Sequence, residues 1–158
     1  MKRGSTLFLK AVIILIGLAV CSGLIWFPQT EGRAANLDLI SIYSDPLILF
    51  VYLGSIPFFY GLYQAFKLLN LIDANKAFSQ AAVNTIRNMK YASVILISFI
   101  IMTLIFIRYF AQGDDVAGPT MLGVCISLAF GVIATAASIF QKLFQNAVDL
   151  KSENDLTV

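Results

Sequence analysis

Four apolar runs, each long enough to cross a lipid bilayer as a helix, constrain this chain more than any other feature. They are Leu7–Phe27, Leu47–Leu69, Tyr91–Phe110 and Thr120–Phe140. A bilayer core about 30 Å thick needs about 20 helical residues to span it. Lipid offers no partner for a bare N–H or C=O, so each run must close its own backbone hydrogen bonds. The rest of the composition agrees: 59% of residues are hydrophobic and 13% charged, where globular domains carry about 25% charged residues. The expected fold class is all-α and polytopic, with one four-helix transmembrane domain covering residues 1–158.

Charge sets the expected threading. The longest polar interval, Leu68 to Tyr91, leaves two spans on each side of it. With the N-terminus inside, Lys2, Arg3, Lys10, Lys67, Lys76, Arg87, Lys90, Lys142 and Lys151 all fall at the inner face, and only Arg33 and Arg108 fall outside. Lys and Arg concentrate in short inner loops, so both termini are expected in the cytoplasm. The outer loops hold Glu31, Asp38, Asp45, Asp114 and Asp115. A basic inner face suits anionic lipid, and the bilayer is the first expected partner; direct binding of nucleic acid is not expected.

The first span has the layout of a signal sequence: Lys2, Arg3 and Lys10 precede AVIILIGLAV, and Leu18-Ala19-Val20-Cys21 approximates a lipoprotein box. Val20 stands where a small residue is required, and apolar sequence continues through Trp26 and Phe27. A retained span is therefore expected, with Trp26 at the outer interface. Cys21 and Cys125 both lie within spans, so they report no disulfide framework, and are expected as reduced thiols filling gaps. With no histidine in the chain, histidine-containing zinc sites and histidine-based triads are excluded.

Local signals fill in the rest. Between the first two spans, Leu37, Leu39, Ile40, Ile42 and Tyr43 allow a short interfacial element, and Pro46 suits the first turn of the next helix. Pro57 removes a backbone hydrogen bond near the centre of the second span. Gly54, Pro57 and Gly61 share one face, which makes them a candidate hinge at a close helix contact. Asp73-Ala74-Asn75-Lys76 reads as a turn and Ser79 as an N-cap, so the third helix is expected to begin near Gln80, well before the membrane. Phe78, Ala82, Ile86 and Met89 recur at helical spacing there. In the fourth span Gly123, Ser127, Gly131 and Thr135 recur every four residues, the pattern that lets helices approach closely in lipid, and this stripe is taken as the main packing face. It is also a candidate surface for a homo-oligomer. Leu143, Phe144, Ala147 and Leu150 carry the helical pattern beyond the membrane.

The spans hold no Asp or Glu, and Lys10, Lys67 and Arg108 sit near their ends. The intramembrane carboxylate of a proton-coupled transporter is thus missing. Phosphate loops, paired carboxylates, nucleophile–base pairs and metal-ligand spacings are missing as well. Catalytic residues, metal ligands and cofactors are therefore not expected, nor is enzymatic activity.

The ending Phe140-Gln141-Lys142-Leu143-Phe144-Gln145-Asn146-Ala147-Val148-Asp149-Leu150-Lys151-Ser152-Glu153-Asn154-Asp155-Leu156-Thr157-Val158, with Phe78 and Ile86-Arg87 leading into the third span, resembles the YoaS-like family of small bacterial four-helix membrane proteins, a domain of unknown function. The likeness runs nearly the whole chain and is most specific at Glu153-Asn154-Asp155-Leu156-Thr157. It implies no activity or cofactor. It does imply a bacterial plasma-membrane location and a genomic setting beside small helix-turn-helix regulators. The leading expectation is a non-enzymatic membrane partner or sensor for such a cytoplasmic regulator, contacting it through Phe78, Ile86, Arg87, Glu153, Asn154, Asp155, Leu156 and Thr157. The alternatives are a small transporter, exporter or channel subunit, and a purely structural membrane protein.

Overall fold

A computed structural model describes residues 3–30, 39–43, 46–110 and 116–155. Along the chain run α1 (Arg3–Thr30), α2 (Leu39–Tyr43), α3 (Pro46–Asp73), α4 (Gln80–Phe110) and α5 (Ala117–Asp155). The described residues contain no strand. Four helices, α1, α3, α4 and α5, are long and apolar enough to cross a membrane. The short α2 occupies the stretch where an interfacial element was expected. Glu31, Arg33, Asp38, Asp45, Asp114 and Asp115, the charges expected on the outer side, lie outside the described residues, as does Lys2.

The helix ends follow from local chemistry. Leaving α3, Asn75 takes a left-handed backbone (φ 56°), a conformation that Asn tolerates better than most residues. That reversal lets Lys76 N–H donate to Leu71 C=O at 2.8 Å and Asn75 N–H to Ile72 C=O at 3.1 Å, the paired bonds that close a helix C-terminus. Ser79 then opens α4. Its carbonyl accepts from the N–H groups of Ala82 and Val83, while its Oγ accepts weakly from Ala82 N–H at 3.4 Å and donates to Lys76 C=O at 2.7 Å.

At the far end of α1, the helix runs past the expected boundary at Phe27 and takes in Pro28. Proline has no N–H to give the carbonyl four residues back, which is that of Leu24. The Tyr52 hydroxyl of α3 donates to that oxygen at 2.7 Å. One side chain thus satisfies the carbonyl that Pro28 orphans and ties α1 to α3.

The bundle is built outward from α3 and α4. Gly54 faces Phe99, Gly61 faces Ala92, and Phe50 meets Phe106 with ring centroids 5.6 Å apart. α3 continues as one helix through Pro57. α5 lies along α4, and Phe58 of α3 reaches Phe130 of α5 edge-on at 6.3 Å. α1 leans chiefly on α3, with Gly17 against Leu62 at mid-length.

The small-residue stripe of α5 behaves differently from the expectation. A Cβ added at Gly123 would lie 2.7 Å from Leu104 Cδ2, whereas at Gly131 it would meet nothing within 4 Å, and Thr135 is exposed. The reason is geometric. Four residues turn an α-helix about 400°, so an every-fourth stripe drifts about 40° per step and about 120° from Gly123 to Thr135. The stripe starts in the α4 contact and rotates out of it; Ala137, buried in the bundle, takes over. Thr135 Oγ1 satisfies itself on the Gly131 carbonyl at 2.8 Å, and Ser127 Oγ is enclosed without a hydrogen-bond partner among the described residues. Cys21 and Cys125 are both exposed free thiols, on helices separated by α3 and α4, so neither fills a gap in the bundle.

Candidate functional site

The start of α1, the α3–α4 turn and the end of α5 gather at one end of the bundle, where polar side chains of neighbouring helices meet. Lys10 of α1 pairs with Asp73 at the end of α3, and its ammonium also lies 5.7 Å from the centre of the Phe66 ring. The pair is partly exposed, with side-chain exposures of 22% and 32%. Sequence alone places Lys10 and Asp73 at corresponding ends of the first two spans but gives no reason to pair them across 63 residues.

Beyond their apolar runs α4 and α5 continue side by side. α5 has 39 residues, about 58 Å at 1.5 Å each, nearly twice the hydrocarbon thickness of about 30 Å. The extension is held by Phe78 and Phe144, whose ring centroids lie 5.2 Å apart. A longer polar contact joins Gln80 Nε2 to Gln145 Oε1 at 3.4 Å. Gln145 Nε2 in turn donates to Asp149 Oδ1 at 2.8 Å. Ala82, Val83, Thr85 and Ile86 are buried beneath this seam. The hydroxyl of Thr85 donates to Ala81 C=O at 2.8 Å, so it enters the core without an unmet bond.

The stripes expected on the two extensions meet in part. Phe144 and Ala147 turn inward, whereas Leu143 and Leu150 remain 56% and 67% exposed. Just inside the seam an apolar cavity of about 350 Å³ opens between Leu68, Ile86, Met89, Ala137, Phe140 and Phe144. On α3, Gln64 is 3% exposed, and its Oε1 has no hydrogen-bond partner among the described residues.

The candidate contact residues divide accordingly. Arg87 is exposed, and Phe78 keeps 60% of its surface open even while stacked on Phe144. Ile86, expected on the partner-facing surface, is instead 4% exposed and part of the α4 core face. It is withdrawn because one turn before the membrane its side of α4 is already covered. Glu153 is exposed near the end of α5; Asn154 and Asp155 are helical, and Leu156 and Thr157 lie outside the described residues. Groups of acidic or sulfur ligands able to hold a metal are missing among the described residues.

Fold and site together define a class: a small polytopic helical membrane protein whose last two spans run on into a paired polar extension. The chain belongs to the family described as "Protein of unknown function (DUF2975)", whose model matches residues 28–158. It is 42% identical over 162 residues to the "Uncharacterized membrane protein YoaS" of Bacillus subtilis (strain 168), with 100% of both chains covered. No solved structure matches.

Proposed function

We propose that this protein is a non-enzymatic component of the bacterial plasma membrane that docks a small cytoplasmic helix-turn-helix regulator on the α4–α5 extension. The observation that carries this reading is the extension itself: two helices continue well beyond the apolar spans, stack through Phe78 and Phe144, and still leave Leu143 and Leu150 open. Unsatisfied apolar side chains on a polar helix mark a surface that gains by being covered. The excess of Lys and Arg at this end supports its placement in the cytoplasm. Transport is less well supported. The two cavities on the α5 side of α3 and α4 are lined almost entirely by apolar side chains, which favours no polar path through them.

The test is to co-express a small helix-turn-helix regulator encoded beside the gene and to measure its share in the membrane fraction. Wild-type protein should retain it. Leu143→Asp/Leu150→Asp and a chain lacking residues 153–158 should release it while their own membrane levels hold. Unchanged partitioning with both variants would refute docking at this surface.

A further inference from the structure

On the side of the α3–α4 pair away from α5, a second groove of about 470 Å³ runs along the two helices and opens sideways. Its outer stretch is apolar, with Leu53, Ile56 and Phe99; towards the turn end it becomes polar through Tyr60, Asn88 and Tyr91. Ile56 is 63% exposed, so this face of the bundle is open. The register of α3 on α4 is set by Gly61 against Ala92. Six residues towards the turn from each brings Lys67 of α3 level with Ile86 and Arg87 of α4.

Lys67 and Arg87 are exposed, and Lys90 lies 5.5 Å from the centre of the Tyr91 ring. Among the described residues none of the three forms an ion pair. The single carboxylate on α3 and α4 is Asp73, which is taken up by Lys10. Two of them, Lys67 on the face of Leu53, Ile56 and Tyr60 and Arg87 beside Tyr91, flank the polar end of the groove with no anion of their own helices to neutralise them.

From this juxtaposition we infer that the α3–α4 groove is a binding site for one anionic phospholipid of the leaflet at the turn end, with an acyl chain along Leu53, Ile56 and Phe99. The phosphate would lie between Lys67 and Arg87, within reach of the Tyr60 and Tyr91 hydroxyls and the Asn88 amide. The dimensions agree. Leu53 to Lys67 spans about 21 Å of helix at 1.5 Å per residue, a little more than the roughly 15 Å of one hydrocarbon leaflet, which reaches from chain to headgroup depth. Lys and Arg at the membrane surface attract anionic headgroups, each by about fivefold in affinity, and the apolar wall restricts the site to a molecule with a tail.

The test uses the full chain in neutral detergent, titrated with phosphatidylglycerol or phosphatidylcholine and read by native mass spectrometry and thermal unfolding. Phosphatidylglycerol should be retained and should raise the melting temperature; phosphatidylcholine and inorganic phosphate should do neither. Lys67→Gln/Arg87→Gln should weaken retention by about 25-fold. Lys142→Gln/Lys151→Gln, which removes the same charge from α5, should leave it intact. Ile56→Trp keeps every cation and fills the groove, and should also abolish retention, so the result does not rest on the charge variant folding well. Equal retention of both lipids, or an equal loss with the α5 variant, would overturn the site and leave only a general surface attraction. A change of oligomeric state in Ile56→Trp, with lipid retention unchanged, would assign the groove to a second copy of the chain instead.

Discussion

Gly123 and Gly131 occupy the same sequence pattern, yet the structure assigns them opposite responses to one added methyl group. At Gly123 the new Cβ would lie 2.7 Å from Leu104 Cδ2 and 3.1 Å from both Cδ1 and Cγ. Relief through rotation of the outer methyls alone is insufficient, because Cγ is also too near, so α4 and α5 must separate slightly or Leu104 must leave its rotamer. Overpacking of this kind costs about 1–3 kcal/mol, partly offset by the gain of about 1 kcal/mol when Ala replaces Gly in a helix. Gly123→Ala should therefore destabilise by up to about 2 kcal/mol. Gly131→Ala, with open space around it, should be neutral or stabilise by up to about 1 kcal/mol. Removing the obstacle provides the decisive control: in a Leu104→Ala background, Gly123→Ala should lose its penalty and become neutral or stabilising. The coupling in that double-mutant cycle should be about 1–3 kcal/mol. Reversible unfolding in mixed micelles, followed by helical circular dichroism, measures all four corners. Equal effects at positions 123 and 131, or a Gly123→Ala penalty untouched by Leu104→Ala, would refute the packing described here.

Other contacts carry predictions of their own. Tyr52→Phe keeps the ring beside Tyr43 but leaves the Leu24 carbonyl without its donor; a loss of about 1 kcal/mol is expected in the same unfolding assay. Neutralising either Lys10 or Asp73 should cost at most about 1 kcal/mol because the pair is partly exposed. The exchange Lys10→Asp/Asp73→Lys should recover part of that loss; an exchange worse than both single changes would count against the pairing. Phe78→Ala and Phe144→Ala should each cost about 1 kcal/mol of ring–ring contact. The double variant should cost less than their sum, and strict additivity would show that the rings do not depend on one another.

The sequence disclosed most where one physical constraint dominates. Span number follows from hydrophobic length, and the start of α4 near Gln80 follows from Ser79 and the turn residues before it. The meeting of Phe78 with Phe144 was foreshadowed by two apolar stripes that had no lipid to face. Contacts between distant helices were less legible. Pro28 announces an orphaned carbonyl at Leu24, yet nothing local names Tyr52 as its donor. Lys10 read as a terminal charge able to reach water, and only the antiparallel placement of α1 on α3 brings Asp73 to it. The every-fourth spacing from Gly123 to Thr135 misled because a helix does not repeat in four residues, so resemblance along the chain became divergence around the axis. Ile86, 4% exposed against its own bundle, shows a related ambiguity: a stripe marks a covered face without saying whether the cover is another helix of the same chain or a partner. The lateral groove leaves no periodic signature, since it arises from the way two neighbouring helices are set.

Docking of a cytoplasmic regulator requires that the turn end of the bundle face the cytoplasm, and reporter fusions measure this directly. Fusions after residue 75, in the turn between α3 and α4, and after residue 158 should be active only with a reporter that works in the cytoplasm. A fusion after residue 116, between α4 and α5, should be active only with one that works outside the membrane. An external signal at 75 together with a cytoplasmic signal at 116 would invert the protein, place the Phe78–Phe144 extension outside the cell, and contradict docking of a cytoplasmic regulator there.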